Sequence, residues 1–128
     1  MSGTVAAGRV PYLQMPTSSF TTIAARKFIK RQGWDGYGLF WGVACAINAE
    51  AAAWLPWGDP DDVAALASVL GVQVSWLDEV VTEACGLALL EIDGGRLTCP
   101  LATRSHEAVE KASDKGRRAA SARWQNRR

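Results

Sequence analysis

The side chains able to make or break bonds are few and scattered. A lone histidine, His106, sits among Arg104, Glu107 and Glu110, the usual setting of a solvated imidazole rather than a proton shuttle. Cys45, Cys85 and Cys99 are far apart, odd in number and form no Cys-x-x-Cys pair. Neither a thiolate metal site nor a disulfide framework is expected of them, and they read as reduced thiols. Asp59, Asp61 and Asp62 have the spacing of a helix cap and first turn, where the helix dipole favours acids, and they lack the partner carboxylates that a divalent cation needs. No phosphate-cradling glycine loop or serine nucleophile elbow is present. The expectation is a binding protein and not an enzyme, with no metal and no cofactor.

What the sequence concentrates is charge. The formal net charge is only +1, yet between Gln32 and Gly95 there is no Lys or Arg, while ten acids lie there. From Arg104 to Arg128 eight basic residues face three acids. A second cluster, Arg26, Lys27, Lys30 and Arg31, has the spacing of one side of a helix whose other side carries Ala24, Ala25, Phe28 and Ile29. Cations gathered in this way suit a polyanion, and neutralised phosphates release counterions. The candidate nucleic-acid contacts are therefore Arg26, Lys27, Lys30, Arg31, Arg96, Lys115, Arg117, Arg118, Arg123, Arg127 and Arg128, with Trp124 placed to stack. The acids suggest an alternative surface for a protein partner, made of Asp78, Glu79 and Glu83 with the loop aromatics Trp54 and Trp57.

The elements that position these residues follow from periodicity and punctuation. Residues 1–19 mix Gly, Pro, Ser and Thr and read as an extended arm. A first helix is expected from Thr21 to Gln32, capped by Ser18 or Ser19 and ended by Gly33. A second, apolar on nearly every side, should run from an Asp35 cap to Ala53 at the domain centre, with Gly36, Gly38 and Gly42 allowing close approach of backbones. Pro56 makes Trp54–Gly58 an apolar loop. Asp59-Pro60 opens a third helix with Val63, Leu66, Ala67 and Leu70 on one face and Gly71 at its end. A fourth opens at Ser75, carries Leu77, Val80, Val81 and Ala84 inward and ends at Gly86. Strands over 87–92 and 96–101 flank the tight turn Asp93-Gly94-Gly95. From Ser105 a weakly anchored helix is expected, its last dozen residues poorly ordered.

Helix, turn, helix and hairpin in this order predict a mainly α, winged-helix domain over 20–103 with a basic tail over 104–128. In such folds the second helix of the pair enters the major groove, which calls for hydrogen-bond donors. Here that helix offers three acids and no base, so phosphate contacts from the flanking cations are expected instead. With no secretory leader and no apolar run of about 20 residues, the expected location is the cytoplasm, with no membrane contact.

One stretch, Phe28-Ile29-Lys30-Arg31-Gln32-Gly33-Trp34-Asp35-Gly36-Tyr37-Gly38-Leu39-Phe40-Trp41, resembles the N-terminal domain of phage and prophage replication-initiation proteins of the replisome-organiser, Lin1244-like type. The likeness extends more loosely over residues 20–124, through 64–70, the hairpin and 115–124. The resemblance implies a winged-helix domain that binds replication-origin DNA. Its implied partner is DNA, and in longer relatives a following region recruits the replicative helicase or its loader; that helicase or loader, another host protein and self-association stand beside DNA as alternatives.

Overall fold

The computed structural model describes residues 12–126, and within them the chain is mainly helical with one small three-stranded antiparallel sheet. A short 3-10 turn at Thr17–Phe20 precedes α1 (Ile23–Ala49), β1 (Leu55–Pro56), α2 (Pro60–Leu70) and α3 (Val74–Gly86). The hairpin β2 (Glu91–Asp93) and β3 (Arg96–Thr98) follows, then α4 (Pro100–Asn126). The core lies where α1, α3, α4 and the sheet meet, around the fully buried Phe28, Phe40, Ile47, Leu77, Leu90 and Leu97.

The two helices expected before residue 53 are the two segments of α1, divided as expected at Gly33, whose φ of 73° and ψ of 176° lie outside the helical region. Only glycine adopts this conformation freely, and a side chain there costs about 1–3 kcal/mol even though nothing crowds the position. The cap is Thr22, whose hydroxyl accepts the Ala25 N–H at 3.2 Å, and not Ser18 or Ser19. Ser19 is instead buried and gives its carbonyl to the Tyr37 hydroxyl. At none of the three glycines expected to permit close approach does another backbone crowd the site, and only Gly36 is tight, against a side chain of its own element. A Cβ there would meet Gln32 Cβ at 2.6 Å, whereas Gly38 faces open space and Gly42 has room for a methyl group beside Leu70.

The helix stops at Ala49, short of the expected Ala53, and the apolar loop proves to be a strand: Leu55 and Pro56 pair with Leu97 and Arg96 of β3. The sheet order is β1-β3-β2. Asp59 caps α2 as expected, accepting the Asp61 N–H at 2.7 Å, and Asp62 closes a reciprocal capping box by accepting the Asp59 N–H at 3.2 Å. Gly71 ends the helix in the left-handed conformation, φ 69°. The helix after it begins at Val74, with Gln73 at the cap position and no side-chain capping bond, so Ser75 is not its cap. Its inward set of Leu77, Val80, Val81 and Ala84 is as the periodicity requires.

The strands of the hairpin are shorter than expected, because residues 87–90 form turns over the end of α3 and Pro100 already opens α4. Gly94 and Gly95, at φ 58° and 75°, turn the chain between them. The last helix thus starts five residues before Ser105 and continues as helix to Asn126, past the point where order was expected to fade. It is anchored by Ala102, wholly buried, and by His106, whose Nε2 lies 2.8 Å from the carbonyl oxygen of Asn48 and donates to it. The first eleven residues of the expected N-terminal arm lie outside the described residues.

Candidate nucleic-acid interface

On the first segment of α1, Ala25 and Phe28 turn into the core, and helical period leaves Arg26, Lys27, Lys30 and Arg31 exposed. Three of these cations make no ion pair among the described residues, but Arg31 does: its Nη1 lies 3.3 Å from Glu83 Oε1 on α3. The Arg31 side chain remains 56% exposed, so the pair adds at most about 1 kcal/mol and opens readily to a competing anion. Sequence reasoning places Arg31 and Glu83 on separate surfaces; separated by 52 positions, they form one.

The same happens at the sheet. The Arg96 guanidinium carbon sits 4.5 Å above the centre of the Trp54 ring, a cation–π contact worth about 0.5–1 kcal/mol at an exposed site. Trp54 is thereby a platform for a basic residue of the hairpin. Trp57, half-buried, donates its backbone N–H to the Gly95 carbonyl at 2.7 Å and shares an open, mostly apolar groove of about 590 Å³ with Pro60, Val63, Val74 and Asp78. Asp78 and Glu79 are exposed on α3.

Along α4, Lys115, Arg117, Arg118 and Arg123 are all exposed, and Arg117 pairs with Asp114 one turn earlier. Arg127 and Arg128 lie outside the described residues. Arg104, Lys111, Lys115 and Arg118 fall within about 60° of one another on the helix, on the side opposite Ala102 and His106, and all four are exposed. Arg104 and Lys111 belong to the tail charge but are not among the contacts expected from sequence. Their spacing of 7, 4 and 3 residues from 104 to 118 is the signal, and reading it requires knowing that the helix begins before Arg104.

Among the described residues no cluster of three His, Cys, Asp or Glu side chains could hold a metal ion, and no single helix is long and apolar enough to cross a membrane. Burial pushes the Cys99 thiol up from its ordinary value of 9.0, and burial with the nearby Glu91 does the same to Cys85. A raised thiol pKa makes the folded chain hold protons that the unfolded chain has lost. This stability is therefore complete below pH 9.0 and is lost as pH rises from there through the folded-state values. Two outcomes are expected: unfolding midpoints in urea that fall above that pH, and alkylation that reaches the exposed Cys45 at neutral pH well before the buried Cys99. Protein mass after timed labelling, with peptide mapping, checks the second.

No protein-family model, no curated protein and no solved structure matches this chain.

Proposed function

We propose that the chain is a winged-helix DNA-binding module of the kind used in phage-type replication initiation, acting in the cytoplasm and holding DNA by its phosphates. Several features support the fold assignment. Helices α2 and α3 turn by 104° across a three-residue link that contains Gly71, which fits a helix-turn-helix. Strand β1 lies between α1 and that pair in the chain, and β2 and β3 form a wing with its turn at Gly94-Gly95. The replication role rests on the resemblance of residues 28–41, whose Gly33 break, crowded Gly36 and packed Tyr37 and Phe40 all have structural work in this chain.

The observation that carries DNA binding is the pairing pattern of the cations. Arg26, Lys27 and Lys30 on α1, and Arg104, Lys111, Lys115 and Arg118 on α4, are exposed and make no ion pair among the described residues. Asp78 and Glu79 on α3 repel phosphates and offer bases no donors, so binding is expected to depend weakly on duplex sequence. Anisotropy titrations of labelled duplex with the full chain and with R26A/K27A/K30A test this. The expected result is a salt slope flatter by about 2.7 in the variant, at about 0.9 for each phosphate that is no longer neutralised. An unchanged slope removes α1 from the interface.

A second reading is favoured by one observation, the Trp57–Asp78 groove, which would take an apolar partner segment bearing a cation. Charge reversal at Asp78 and Glu79 that abolished capture of a protein partner, with DNA affinity intact or raised, would support it.

A further inference from the structure

At the break in α1 the surface is aromatic. Trp34 is 66% exposed and Phe20 43% exposed, with ring centres 6.0 Å apart. Both meet Tyr37 in edge-to-face contacts, with ring centres 6.5 and 5.7 Å away, and Tyr37 is itself buried and held by its hydroxyl to the Ser19 carbonyl. The outer rings are therefore backed by a fixed third ring. Between Phe20 and Trp34 in the chain runs the first segment of α1, about 15 Å long for its ten residues, and it carries all four cations of that element.

Two exposed rings on a fixed base beside a row of cations are what an unpaired nucleic-acid strand requires. The rings offer faces for bases and the cations meet the phosphates. A duplex cannot use the rings, because its bases are stacked on one another and leave the stack only at a cost. We infer that the Phe20–Trp34 pair is a stacking site for unpaired bases, and that the chain holds single-stranded nucleic acid across it with Lys27 and Lys30 on the flanking phosphates. The inference rests on the nucleic-acid reading above and specifies its substrate. A strand opened from its duplex is the ligand, and the one α3 acid that reaches this cation row, Glu83, is paired with Arg31 and leaves Lys27 and Lys30 without an ion pair among the described residues.

The test compares labelled oligo(dT) with duplex of the same length, using the full chain and its W34A, W34F and F20A variants. W34A is expected to weaken oligo(dT) binding by about tenfold or more, with duplex affinity unchanged within twofold, while W34F, which keeps a ring, binds oligo(dT) nearly as well as the unmodified chain. F20A should act in the same direction as W34A. Equal loss on both ligands, or no loss on oligo(dT), overturns the stacking site and leaves the duplex reading standing. If neither ligand binds the unmodified chain at low salt, both readings fail together. Circular dichroism of each variant separates lost stacking from lost folding, and F20A carries the comparison if W34A unfolds.

Discussion

A chain ending at Ser113 should fold normally and, on the proposed function, lose close to half of the salt sensitivity of DNA binding. Among the described residues the last buried one in α4 is Ala102, and the bond from His106 to the Asn48 carbonyl is also kept, so the described part of what is removed adds nothing to the core. What it removes is Lys115, Arg117, Arg118, Arg123, Arg127 and Arg128, with one acid, Asp114. If each cation meets a phosphate, the slope of log affinity against log salt flattens by up to about 5 units, so a fourfold rise in salt costs the full chain about 10³ more in affinity than the shortened one. Equal slopes for the two chains would show that α4 projects away from the DNA. A shortened chain that melted at a lower temperature would show that the outer helix packs more than its exposure implies.

Replacing Phe40 by Ala should cost about 3–5 kcal/mol of stability, a large share of the roughly 5–15 kcal/mol that holds a domain together. Phe40 is 1% exposed and touches three other rings of the aromatic cluster. Tyr37 stacks on it at 5.6 Å with the rings 4° apart, while Trp41 meets it edge-on at 5.6 Å and Phe28 lies 5.9 Å away. Truncation strips all three rings of their shared neighbour and leaves a void between the two segments of α1, where the break at Gly33 prevents the helix from sliding to fill it. Phe40→Leu, which keeps most of the volume, should cost under about 1.5 kcal/mol. Urea unfolding of the three proteins gives both numbers. A cost below about 1 kcal/mol for Phe40→Ala would mean that the cluster relaxes as a fluid patch and does not fix the angle at which the cations of α1 are presented. The same variant should also weaken oligo(dT) binding, because Tyr37 supports both Phe40 and the exposed rings.

Most of the helices were legible because each carries its own punctuation. Asp59-Pro60 opens α2, Gly71 closes it, and the spacing of Leu77, Val80, Val81 and Ala84 orients α3 without reference to the rest of the chain. Strand β1 was not legible, since a two-residue strand containing Pro56 has no period to read, and its partner Leu97 is 42 positions away. The Ser75 start signal failed for a related reason. The tight link after Gly71 brings the chain into helix at Val74, before the residue with the better capping side chain is reached. At the candidate site, the identities of the cations could be read but their engagements could not. Arg31 with Glu83 and Arg96 with Trp54 exist only because α1 packs on α3 and β1 pairs with β3. The Phe20–Trp34 pair was hidden by the break at Gly33, which folds residues fourteen positions apart onto one surface.

The small sheet has two edges, and neither welcomes another strand. On the β1 side, the Trp57 N–H bond to Gly95 sets the alternation so that the nitrogen of Pro56, which carries no hydrogen, faces outward. On the β2 side, Glu91 and Asp93 flank the exposed Ile92 over just three residues, and carboxylates repel the like-charged edge of a second copy. Copies of the chain brought to high local concentration, as the proposed function would do on one nucleic-acid strand, would therefore meet at edges that resist runaway strand addition.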